Sequence, residues 1–204
     1  MSPFVRTLSA ATVGLLAMPV YAHHPTGGEI PDTVLYGVLS GIGHPMIDPT
    51  HLAFILGVGL LFAIQKGSFA NRVLLFLAAT WIGAFGHLSG LDIPGVEAIM
   101  ALGIIAAGIM LAWRRLAILP GVLVLAGGAG VLHGFAYAEA IVGVRTGPLI
   151  GYFFGFTLIQ GAVLVGTIVA ARALVSRNAP GLMRRMELAC GAALAGLGVL
   201  LLMS

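Results

Sequence analysis

The segment Gly43-His44-Pro45-Met46-Ile47-Asp48-Pro49-Thr50-His51 places two imidazoles, a carboxylate and two prolines inside an otherwise apolar stretch. Imidazole nitrogen combined with carboxylate oxygen is a donor set suited to a divalent transition metal. Ionisable groups are costly at membrane depth, which makes them functional candidates by default. In an unbroken helix His44, Asp48 and His51 would share one face at i, i+4 and i+7. Pro49 disfavours helical backbone at Asp48, so their convergence has to come from a turn. Asp48 has two open readings. It is either a metal ligand or the N-cap of the helix that carries His51, since Asp followed by Pro is also an N-cap followed by N1.

Further ligand-type residues lie downstream. His87 ends an apolar segment beside Gly86 and Gly90, where an interfacial position accounts for it as well as a ligand role does. His133, in Gly130-Val131-Leu132-His133-Gly134, lies deeper and is harder to explain without function. With Glu139 these complete a candidate metal set of His44, Asp48, His51, His87, His133 and Glu139. Asp92 and Glu97 are expected to raise local cation concentration, and Thr50 offers a neutral hydroxyl. Cys190 is the sole cysteine, which excludes an intrachain disulfide and a cysteine-rich metal cage; in its apolar run it reads as packing.

The elements that position these residues follow from composition. Of 204 residues, 59% are hydrophobic and 8% charged, a balance that no water-soluble domain of this size has. The net charge of +3 does not indicate nucleic acid, because eight of the ten basic residues fall in three short stretches between apolar runs. Residues 1–22 read as a secretory signal: Arg6, an apolar core from Leu8 to Val20, and a cleavage site at Val20-Tyr21-Ala22. Cleavage after Ala22 would start an exported segment, 23–33, with His23-His24. Their imidazoles beside a free amine could capture metal, or they form a loose polar end.

Residues 34–204 then form an all-α membrane domain of about six spans. The apolar segments are Val34 to Ile64, Val73 to Leu88, Pro94 to Trp113, Leu116 to Ala136, Pro148 to Ala171 and Met186 to Met203. The first is too long for one plain span and is expected to be broken at Pro45 and Pro49. Lys66, Arg72, Arg114, Arg115, Arg172, Arg177, Arg184 and Arg185 place three connections in the cytoplasm and both mature termini on the exported side. The ligand-type residues then lie in the outward half. The pairs Gly37/Gly41, Gly86/Gly90, Gly130/Gly134 and Gly151/Gly155 predict close helix packing.

His44-Pro45 followed by His51-Leu52-Ala53-Phe54 resembles the His-Pro-x-x-Gly-x-Asp-His signature of the HupE/UreJ family of nickel and cobalt permeases. The likeness extends to Gly27-Gly28, to His87 with Leu91-Asp92-x-Pro94-x-x-Glu97, to His133 through Gly143, and to Gly155 through Gln160. The resemblance implies an exported signal sequence, about six spans, and metal movement linked to hydrogenase or urease maturation, with their cytoplasmic metallochaperones as partners. This chain departs from the signature in having Asp48 where the family has glycine and Thr50 where it has aspartate.

The expected function is therefore that of an inner-membrane permease and not an enzyme. Nickel or cobalt would be its cargo, with no resident cofactor. Uptake should weaken below about pH 6, where free imidazoles protonate. Any nucleotide-driven step would need a partner, since Lys66 is the only lysine and no phosphate-binding Gly-x-x-x-x-Gly-Lys loop exists. Two other classes fit the residues: a non-transporting metal-binding assembly or sensor protein, and a haem-binding electron carrier with His87 and His133 as axial ligands.

Overall fold

The computed structural model describes residues 30–176 and 180–203; the signal segment, His23, His24, Gly27-Gly28 and Arg177 lie outside them. All regular structure among the described residues is helical: α1 (Val34–Ile47), α2 (Pro49–Ile64), α3 (Ala70–Leu88), α4 (Val96–Ala112), α5 (Leu119–Glu139), α6 (Thr146–Ser176) and α7 (Pro180–Met203). The six apolar segments correspond to six rods, the first being the pair α1–α2. By length and composition α5, α6 and α7 can each cross a membrane, and the bent pair α1–α2 makes a fourth candidate. The other two rods are less suited to a plain crossing. Asn71, Arg72 and His87 dilute the apolar run of α3, and α4 has only 17 residues.

The break between α1 and α2 has a local cause. Pro49 drives Asp48 into extended backbone, φ −79° and ψ 111°, and the two helices meet at 78°. Pro49 then occupies the first turn of α2, where its missing N–H costs nothing. Beyond the bend, Phe54, Ile55, Val58, Leu61 and Phe62 are buried, which makes α2 the central helix of the bundle.

Three extensive helix pairings surround it: α1 with α6, α3 with α5, and α4 with α7. The first shows why small residues recur. A Cβ on Gly41 would lie 2.1 Å from the Tyr152 carbonyl oxygen, and one on Gly155 would lie 2.2 Å from that of Val38. Gly37/Gly41 and Gly151/Gly155 are thus the two halves of one contact. Gly134 likewise meets the Thr80 backbone, but its partner on α3 is Gly83, not the Gly86/Gly90 pair. Gly90 has φ +87° and serves the turn after α3. Gly41→Ala is expected to weaken the fold by about 1–3 kcal/mol through overpacking against rigid backbone. Gly166→Ala, where the added methyl meets open space, should not. Thermal unfolding of the two variants in detergent checks the difference.

The basic residues gather at one end of the bundle and do more than the sequence suggested. Arg72, Arg172, Arg184 and Arg185 belong to helices rather than to connections. Arg72 donates to the Phe62 carbonyl, and Arg172 to those of Gln65 and Gly67, so both satisfy the carbonyl end of α2. Arg184 donates to Leu111 and Ala112 at the end of α4, and it pairs with the fully buried Glu187, which also holds Arg114. Cations at helix C-termini complement the dipole and the free carbonyls together.

Candidate metal centre

The bend brings three imidazoles and two phenols together. His44 in the last turn of α1 and His51 in the first turn of α2 have ring centroids 5.8 Å apart. His133 of α5 meets His51 with Nδ1 to Nδ1 at 2.8 Å, both rings being buried. Tyr137, one turn further along α5, lies 4.3 Å from the His51 ring, 5.4 Å from His44 and 6.5 Å from His133. Tyr152 of α6 donates to the Tyr137 carbonyl at 2.9 Å and closes the cluster. On the inward side Phe54 stacks on His133 at 4.1 Å and nearly parallel, fixing the ring plane.

Asp48 carries out the capping role. Its Oδ1 accepts from the backbone of Thr50 at 2.7 Å and of His51 at 3.4 Å, which satisfies free donors of α2. Its other oxygen, Oδ2, lies 3.6 Å from His51 Nε2. That second contact decides where the imidazole protons sit. Two neutral rings in Nδ1 to Nδ1 contact share one proton between those atoms, so one donates and the other accepts. A carboxylate facing Nε2 of His51 favours a proton on that nitrogen over a lone pair. In the tautomer that this arrangement favours, His51 accepts at Nδ1, His133 donates from Nδ1, and the lone pair of His133 is at Nε2. That atom is buried and has no hydrogen-bond partner. An anionic oxygen that fixes a histidine tautomer is the usual outer support of a metal-binding imidazole; here it acts through a second histidine.

The remaining sequence candidates sit elsewhere. His87 packs its ring on Phe135 at 4.4 Å. Phe135 is two residues from His133 and so on nearly the opposite side of α5, which separates His87 from the buried cluster. Facing axial ligands for haem are consequently not formed by His87 and His133. Glu139 is exposed at the end of α5, about 9 Å along the helix from His133. Asp92 and Glu97 are exposed too, in the α3–α4 connection and the first turn of α4. These carboxylates belong to the rim. Thr50 contributes its backbone N–H to the Asp48 cap.

Among the described residues no three or more His, Cys, Asp or Glu side chains are placed to hold one metal ion together. The reason is visible in the bonding: His51 and His133 spend Nδ1 on each other, and Asp48 spends Oδ1 on the helix. Buried and without a hydrogen-bond partner among the described residues are His133 Nε2 and the hydroxyl of Tyr137, whose ring lies 6.5 Å from that of His133. Tyr137 escaped the sequence reading because a tyrosine in an apolar run looks like core. Its place four residues after His133, on the same helical face, was the available signal.

Apolar helices packed on glycine, a bent pair of apolar helices and a buried imidazole pair define a multi-pass α-helical membrane protein with an ionisable site inside it. The family model described as HupE / UreJ protein matches residues 11–201, and the chain belongs to that family, which is associated with nickel and cobalt uptake. No curated protein and no solved structure matches the chain.

Proposed function

We propose that the protein is an inner-membrane permease that takes a divalent transition metal, nickel or cobalt, from the exported side to the cytoplasm. The observation that carries this reading is the buried, unpartnered Nε2 of His133, whose Nδ1 touches a His51 that faces the Asp48 carboxylate. A membrane protein gains little stability from an unpaired polar atom at depth, whereas a transport path needs one. The mature termini and the acidic rim of Asp92, Glu97 and Glu139 face the exported compartment, and the arginine-capped helix ends face the cytoplasm, in keeping with the charge rule. The rim attracts cations; His44, Asp48 and His51 receive them, and His133 passes them inward. His23 and His24 would add a capture site at the mature terminus. On the cytoplasmic side the ion would go to a metallochaperone serving hydrogenase or urease.

Reconstituted vesicles with radioactive nickel or cobalt outside test the reading. Wild-type protein should accumulate the ion in the lumen, in a form that an external chelator cannot remove. Metal that binds but never enters would overturn transport in favour of a metal-binding assembly or sensor protein.

A further inference from the structure

Gln160 on α6 is fully buried, and its position in the bundle is set from two directions. The Tyr137 ring of α5 meets the Phe156 ring of α6 at 4.9 Å. The two helices run away from their short connection in opposite chain directions. One turn further from that connection lie His133 on α5 and Gln160 on α6, each on the face that makes the Tyr137–Phe156 contact. The second direction is given by the broken span. Gly41 of α1 meets α6 at Tyr152 and Phe156, and Gly59 of α2 meets it at Thr167. Along α6 Gln160 lies between those two contacts, and along the broken span so does His51, which touches His133; the three residues belong to one region of the bundle.

The Gln160 amide is half used. Its Nε2 donates to the Phe156 carbonyl at 3.3 Å. Its Oε1 has no partner, and neither have His133 Nε2 and the Tyr137 hydroxyl. Three unpartnered buried polar atoms would cost several kcal/mol in an apolar interior, and the Tyr137–Phe156 contact puts the turns that carry them side by side, so they call for an occupant. Carbonyl, phenol and imidazole each offer a neutral oxygen or nitrogen to which a divalent cation can pass in turn.

We propose that Gln160 is the inner donor of the transport path, its amide oxygen taking the ion from His133 Nε2 after the ion leaves the Asp48 side. This rests on the permease reading. A neutral donor suits that position because it binds weakly enough to let the ion go, whereas a buried carboxylate would hold it.

Wild type, Gln160→Leu and Gln160→His, compared in vesicles and as detergent-solubilised protein, test the assignment. Gln160→Leu should lower the initial rate of nickel uptake by about tenfold or more while nickel retention by the solubilised protein stays at the wild-type level. Uptake at the wild-type rate would overturn the proposal, and so would loss of retention together with uptake. Gln160→His should transport, with the nickel-to-manganese uptake ratio raised by about fivefold or more, because nitrogen replaces oxygen in the donor set. An unchanged ratio would overturn the proposal even if the leucine variant fails to assemble. Wild-type vesicles that accumulate no ion would instead overturn the permease reading, a result distinguishable from any outcome of the variants.

Discussion

Replacing His133 by Phe is expected to lower metal uptake by about a hundredfold or more while leaving the protein folded and inserted. Phenylalanine fills nearly the same volume and keeps the stack on Phe54, so the change removes the nitrogens and little else. The lost contact to His51 Nδ1 leaves one neutral acceptor unpaired, a cost of about 1–3 kcal/mol that a melting curve should register as a modest shift. His87→Phe gives the contrast. His87 packs on Phe135 and away from the buried pair, so its replacement should cost far less uptake. Equal losses in the two variants, measured as initial rates in vesicles, would show that His133 has no special place in the path.

The sequence made much of this architecture legible and obscured the rest for identifiable reasons. Asp48-Pro49 announced a helix start, and the carboxylate does cap α2. Pro49 announced the break that brings His44 to within 5.8 Å of His51, whereas Pro45, expected to share in it, lies inside α1 without ending the helix. A deep histidine at position 133 stood out because a polar ring in an apolar run has few structural excuses. Long-range relations were not readable. Nothing local distinguishes Gly83, which meets the backbone of α5, from Gly86, which meets a leucine side chain. The facing of a glycine depends on the rotation of its helix, and in α3 the strongly polar Asn71, Arg72 and His87 sit towards the two ends, so the stretch around Gly83 and Gly86 carries little face signal. His87 was grouped with the ligands for the same reason.

Charged residues were misread in a different way. Arg72, Arg172 and Arg184 were taken as connection residues because cations in a membrane protein ordinarily mark its loops. They gather at one end of the bundle, but from within helices, with long side chains reaching the carbonyl ends of α2 and α4. Glu187 shows the converse. As the lone acid near that end it had no assigned task, and it is the buried anion that joins Arg184 to Arg114. Tyr137 and Gln160 were hidden because both are ordinary residues of apolar helices until their partners, or the lack of them, are known.

Asp48→Asn should separate the two uses of that carboxylate. Asparagine is as good an N-cap as aspartate, so the stability of α2 should change by no more than about 0.5 kcal/mol. Capping requires an oxygen where Oδ1 now accepts from Thr50 and His51, which leaves the amide NH₂ in the place of Oδ2, facing His51 Nε2. A donor there reverses the relay. His51 then holds its lone pair at Nε2 and its proton at Nδ1, His133 accepts at Nδ1, and the proton of His133 moves to Nε2, where it blocks the lone pair that would bind the ion. Uptake should fall by about a hundredfold, as in His133→Phe, in a protein that melts like wild type. Asp48→Ser keeps a cap but presents nothing to His51, leaving the tautomers unbiased, and should fall between the two. Adding Thr50→Asp to Asp48→Asn returns a carboxylate to the turn but not to His51 Nε2, and should not restore uptake. If Asp48 served only as a cap, Asn and Ser would both transport normally. If it were a direct ligand and nothing more, Ser, which lacks the reach, would fare worse than Asn, the reverse of the order expected from the relay.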